Sequence, residues 1–152
     1  MLSTIEKVLT LKHVDVFQQT PDDVLADVAA LLAEIEVAAG ETIFHKGELG
    51  ESLYIVITGK LRVDDGDHLL NYLGASDVFG EMALLDAEPR VASVTAVEPA
   101  RLLRLNQAPF YELITDRPEV AIGLIHVLTG RLRARVRDVT ELNTRMNALP
   151  NT

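Results

Sequence analysis

The chain has no cysteine, which removes disulfide frameworks, thiolate nucleophiles and thiolate metal sites together. That composition is compatible with a reducing cytosol, and a cytoplasmic location is the expectation. Long apolar runs are also missing. The longest stretch without a charge, "VAIGLIHVLTG" at 120–130, falls well short of the ~18 residues a membrane span needs, so a soluble protein is expected. The opening "MLSTIEKVLT" lacks the basic segment and apolar block of a secretion signal. Positive charge is scarce: 14 Lys and Arg stand against 23 Asp and Glu, for a net charge of −9. Because phosphate neutralisation by Lys and Arg supplies most nucleic-acid affinity, direct nucleic-acid binding is not expected. The same charge repels small anions at long range, so any anion site must be built from local donors.

Catalytic and metal motifs are absent as well. His13, His45, His68 and His126 are scattered without paired spacing, so a metal-bearing barrel enzyme of the cupin type lacks its ligands. There is no Gly-x-Ser-x-Gly elbow, Walker loop or catalytic carboxylate pair at a recognisable spacing. No enzyme activity, metal or cofactor is therefore expected, and metal analysis of the purified protein is a cheap check on the cupin alternative.

What is present reads as one folded domain. The hydrophobic content is 48% with no low-complexity tract, and a chain of 152 residues removes roughly two-thirds of its unfolded surface from water. Residues 1–33 carry helix signals. Ser3 or Thr4 can cap a first helix with Glu6 behind it; Thr20 can cap a second, with Pro21 at its first position and a stripe of Val24, Leu25, Val28, Leu31 and Leu32. Residues 34–106 break into short runs: the continuous "LYIVITG", Leu61 and Val63 alternating with charge before an Asp65-Gly66 hairpin turn, then "VASVTAVEP" and "ARLLRLNQ" parted at Pro99. This pattern predicts a mainly β fold, an antiparallel jelly roll flanked by N-terminal helices and a long C-terminal helix.

Residues 107–149 return to helical signals, with "APFYELIT" as a short helix and Pro118 opening a long one from about Glu119 to Met146. Along it Ile125, Leu128, Leu132, Val139, Leu142, Met146 and Leu149 fall on alternating three- and four-residue steps, a heptad seam that predicts a homodimer. Arg135 interrupts that seam. The surrounding "RLRARVR" puts Arg131 and Arg135 on one face and reads as a solvated helix surface, with Asp138 and Glu141 close behind.

The stretch "FGEMALLDAEPRVAS" at 79–93 is neither alternating nor β-branched, and reads as a strand end entering one helical turn. Gly80 lets backbone approach a ligand closely. Arg90 brings a planar fork of donors that matches two phosphate oxygens. An ionised Glu81 beside an anion makes sense when the ligand also carries hydroxyl donors, because a carboxylate only accepts hydrogen bonds. An anion with a neighbouring hydroxyl describes a ribose phosphate.

On those residues, "FGEMALLDAEPRVASVTA" resembles the phosphate-binding cassette of cyclic-nucleotide-binding domains, found in catabolite-activator-type regulators, kinase regulatory subunits and gated channels. "AAGETIFHKGELGESLYIVITGKLRV" resembles the family's early strands. The resemblance implies that Glu81 takes the ribose 2′-hydroxyl and Arg90 the cyclic phosphate. Gly80 and Met82 would offer backbone groups, Val91 and Ala92 would close the pocket, and the last helix would cover the base with Arg135 nearby. Ser76 stands where the family usually has Gly before Asp77, a departure expected to strain that turn. Val91 stands where guanine-preferring members tend to carry Thr, which makes cyclic AMP the expected ligand and cyclic GMP the alternative. The function so implied is a regulatory module that signals through its terminal helix to a downstream partner or a larger parent polypeptide, with no DNA-binding segment expected. An interaction or dimerisation domain with a vestigial pocket is the competing reading.

Overall fold

The computed structural model describes residues 1–149. Helix α1 (Thr4–Leu11) starts where the sequence predicts, because Ser3 accepts from the Glu6 N–H while the Glu6 carboxylate accepts from the Ser3 N–H. A 3-10 turn at Asp15–Phe17 leads into α2 (Asp22–Ala29). The N-cap of α2 is Pro21 rather than Thr20, whose hydroxyl is buried without a partner. Leu31 and Leu32, which continue the apolar stripe, lie beyond the helix and still pack into its core. The chain turns there because Ala33–Val37 forms β1, paired antiparallel along β10 (Ala100–Asn106).

The remaining strands are β2 (Thr42–Phe44), β3 (Leu49–Gly50), β4 (Ser52–Thr58), β5 (Leu61–Asp64), β6 (Leu69–Leu73), β7 (Val78–Phe79), β8 (Glu88–Pro89) and β9 (Ser93–Ala96). They build two four-stranded sheets, ordered β1-β10-β4-β7 and β2-β9-β5-β6, with β3 and β8 as a separate ladder. All pairings are antiparallel. This is the jelly roll the sequence predicts.

Burial explains the run "LYIVITG". Alternate residues of β4 face opposite ways, and both faces are covered. Tyr54 and Val56 point into the sandwich with Val37, Leu61, Val94 and Leu102, while Leu53 and Ile55 point to the helices with Phe17, Leu25, Phe110 and Val120. A strand buried on both faces loses the polar half of its alternation. Truncating Ile55 or Leu103, each essentially unexposed, costs about 2–5 kcal/mol by the usual rule for core aliphatics.

Three helices follow the β region in the chain or interrupt it: α3 (Glu81–Leu85) between β7 and β8, then α4 (Gln107–Asp116) and α5 (Glu119–Asn147). The first turns of α5 bury Val120, Gly123 and Leu124. A side chain at Gly123 would sit 3.0 Å from the Gln19 carbonyl, so the glycine permits the close crossing over the N-terminal segment. Beyond that crossing the helix projects away from the domain. Leu132, Val139, Leu142 and Met146 are 57–65% exposed.

Candidate functional site

Arg90 follows β8, and its backbone is pinned on both sides by the loop before β3. Its N–H donates to the Glu48 carbonyl at 2.7 Å, and its own carbonyl accepts from the Gly47 N–H at 2.8 Å. The side chain thereby enters the mouth of the sandwich and is only 9% exposed. Nη2 donates to the Ser52 carbonyl at 2.9 Å. The guanidinium lies 4.1 Å over the Phe44 ring and 6.0 Å from Tyr54, both part of an aromatic group in which Tyr54 and Phe79 stack at 5.0 Å. Such placement over ring faces is favourable for a cation.

Two glycines make room for it. A Cβ at Gly50 would stand 2.6 Å from the Arg90 Cζ, and one at Gly80 would stand 2.7 Å from Nη1 and 2.5 Å from the Ser52 carbonyl. Gly80 also holds φ +77, the left-handed conformation that starts α3 and that side chains disfavour.

The Arg90 Nε is buried and has no hydrogen-bond partner. Among the described residues no carboxylate lies within ion-pairing distance of this guanidinium. Desolvation by burial lowers its pKa from the ordinary value, with Tyr54 and Glu48 acting in the opposite sense. An arginine stays charged even so, and a buried, unpaired cation with an unmade hydrogen bond is costly. The arrangement accommodates an anion that accepts from the guanidinium.

The cavity in front of Arg90 has a volume of about 440 Å³ and is open to solvent, within the roughly 300–1,000 Å³ of small-molecule sites. Gly80, Glu81, Met82, Arg90, Val91 and Ala92 all line it, together with Phe44 and Val63. Ala92 is a buried wall residue, whereas Met82 and Val91 stand exposed at the rim. Glu81 accepts at Oε1 from the Arg131 Nη2 at 2.7 Å, and that Nη2 also lies 3.5 Å from Asp15.

Arg135 is not part of this assembly. It is exposed and lines a shallow groove of its own helix with Val136, Val139 and Thr140. Arg131 precedes it by about one helical turn on the same face, and at that height the domain surface is still within reach. The solvated-face reading of "RLRARVR" fails for Arg131 alone. Nothing local in the sequence marks Phe44, Tyr54 and Gly50 as neighbours of Arg90.

With this geometry in place, comparison with known proteins is decisive about kinship. Residues 34–117 match the cyclic nucleotide-binding domain. The chain belongs to that family. It is similar, at 32% identity over 137 residues, to the CRP-like cAMP-activated global transcriptional regulator of Mycobacterium tuberculosis, covering 87% of this chain and 61% of that protein. Against the Cyclic AMP receptor protein of Thermus thermophilus the identity is 41% over 99 residues, covering 62% and 46%. The chain thus spans between 46% and 61% of the length of these relatives. Among solved structures, the N-terminal domain of a transcriptional regulator from Streptomyces coelicolor A3(2) matches with a TM-score of 0.78 at 32% identity, over 86% of this chain and 94% of that one. Among the described residues of this cyclic nucleotide-binding domain no helix is long and apolar enough to cross a membrane.

Proposed function

We propose that this domain is a regulatory module that binds cyclic AMP in the cassette between α3 and β9 and passes the binding event to α5. The observation that carries the reading is Arg90: a buried guanidinium over an aromatic floor, with its buried Nε–H unused and, among the described residues, no carboxylate within ion-pairing distance. A cyclic phosphate supplies both the charge and the acceptor. Glu81 uses Oε1 for Arg131 and keeps Oε2 for a ribose hydroxyl. Val91, at the rim, offers no hydroxyl to guanine, so adenine is preferred by about 1 kcal/mol, the worth of one hydrogen bond.

The output runs through α5. Its apolar stripe fits a second copy of the same helix, giving a homodimer with isologous contacts. The downstream element is then a partner protein or another part of a longer polypeptide, and the domain's role is sensing rather than catalysis.

Calorimetric titration with cyclic AMP and cyclic GMP tests the reading. Binding of cyclic AMP, tighter than cyclic GMP by several-fold, is expected. Failure of both nucleotides to bind overturns it and leaves an interaction domain whose pocket is vestigial.

A further inference from the structure

Helix α3 presents the Gly80–Met82 backbone and the Glu81 carboxylate to the cavity, yet it is a single turn of five residues. Isolated helices below ~12–15 residues are marginal in water, and its last carbonyls have no partner within the helix. Its start offers no help, because Gly80 has no side chain to cap it. Ala83 and Leu84 are buried and Leu85 packs partly against the core, a grip on the apolar face that leaves the C-terminal carbonyls in need of partners.

The missing restraint comes from α4. Gln107 Nε2 lies 3.3 Å from the Leu84 carbonyl and 3.5 Å from that of Ala83, and the Tyr111 hydroxyl donates to the Leu85 carbonyl at 2.5 Å. The two side chains sit four residues apart on one face of α4 and touch each other at 3.2 Å. With the Asp86 N–H on the Met82 carbonyl at 2.9 Å, every carbonyl from Met82 to Leu85 is engaged. The support is itself fixed at both ends. The Gln107 N–H donates to the Glu51 carbonyl, and Arg117, just past the end of α4, bridges Asp23 and Asp27 of α2 at 2.9 and 2.7 Å.

We infer that Gln107 and Tyr111 are positioning residues for the nucleotide: by holding α3 at its C-terminal carbonyls they fix the angle at which its N-terminal N–H groups and Glu81 meet the ribose phosphate. This rests on the cyclic AMP reading above. The grip acts at the C-terminal carbonyls, away from the ligand-facing end. It also makes the cassette and α4 move as one piece.

Two measurements on the full chain separate this inference from that reading. Hydrogen exchange of the ligand-free protein needs no nucleotide: Tyr111→Phe, which keeps the ring, should speed exchange at the α3 amides while the sandwich strands keep their protection. Titration with cyclic AMP should then show affinity weakened about 3- to 10-fold, the range for one lost neutral hydrogen bond. Gln107→Glu, which turns a donor into an acceptor facing carbonyls, should weaken binding more. A control, Tyr72→Phe on the exposed strand β6, removes a hydroxyl remote from α3 and should change neither readout. Unchanged α3 exchange in both latch variants overturns the latch. Faster exchange with unchanged affinity overturns its positioning role. A wild type that binds no cyclic AMP overturns the functional reading and the positioning role with it.

Discussion

Arg131 of α5 donates from Nη2 to Oε1 of Glu81 at 2.7 Å, so the long helix meets the cassette at the very carboxylate proposed for the ribose. The pair is partly exposed, at 19% for Glu81 and 37% for Arg131, and solvent screening limits what it contributes. A double-mutant cycle of Glu81→Gln and Arg131→Gln, followed by urea unfolding, should give a coupling of about 0.5–1 kcal/mol. Additive effects of the two substitutions would mean that the contact does not tie helix to cassette.

The exposed stripe of α5 predicts self-association. Fully burying a leucine is worth about 1.5–3 kcal/mol, and Leu132, Val139, Leu142 and Met146 all stand open to solvent. Analytical ultracentrifugation of the wild type should show a dimer at micromolar concentration, and the double variant Leu132→Glu with Leu142→Glu should sediment as a monomer with the fold intact. A wild type that is monomeric throughout the range contradicts the pairing.

Ser76 takes φ +74 in a turn closed by the Asp77 N–H on the Gly74 carbonyl at 3.0 Å. A turn of this kind wants glycine at that position. The strain expected from the sequence at this departure from the family pattern is therefore present. Because the side chain is exposed, Ser76→Gly should raise stability by about 0.5–1 kcal/mol after the entropic cost of glycine is counted. The urea midpoint measures it, and a lower midpoint would contradict the assignment of strain.

The N-terminus is stapled to the sheet through Glu34. The Leu2 N–H donates to its Oε1, and Arg101 lies 3.3 Å from Oε2. The Leu2 hydrogen bond first, and then the N-terminal ammonium and Arg101, hold this carboxyl below its ordinary 4.5, against an opposing effect of desolvation. A carboxyl lowered in the folded state stabilises above its ordinary pKa, and that contribution is lost as pH falls through the folded value. Glu34→Gln should therefore lower stability at neutral pH and flatten its decline below pH 4.5. Parallel acid declines for the two proteins would contradict this.

The parts of the fold legible in the sequence are those whose signals are contiguous. The Asp65-Gly66 hairpin, the strand-to-turn break at Phe79–Leu85 and the Pro118 helix start each lie within a few residues, and each stands in the structure at that place. In the cassette, Gly80, Glu81, Met82, Arg90, Val91 and Ala92 line one cavity because they lie within one short segment of chain. Contacts across long separations are not legible. Arg131 and Glu81 are 50 residues apart, and choosing Arg131 over Arg135 requires knowing where α5 leaves the domain surface. The overrun of the α2 stripe into Leu31 and Leu32 has a similar cause: pairing with β10 decides that β1 begins at Ala33, and only tertiary structure supplies that partner.

Arg90 is buried with no carboxylate within ion-pairing distance among the described residues, and the proposal that a phosphate pairs with it is decided by calorimetry of cyclic AMP binding to wild type, Arg90→Lys and Arg90→Ala. Removing a charge-assisted, bidentate contact costs on the order of 2–4 kcal/mol, or roughly 30- to 1,000-fold in affinity. Lysine keeps the charge without the planar fork and should fall between the two. Tight binding by the wild type, intermediate binding by Arg90→Lys and little by Arg90→Ala are expected, with all three folded by circular dichroism. An Arg90→Ala protein that binds cyclic AMP as tightly as the wild type would contradict it.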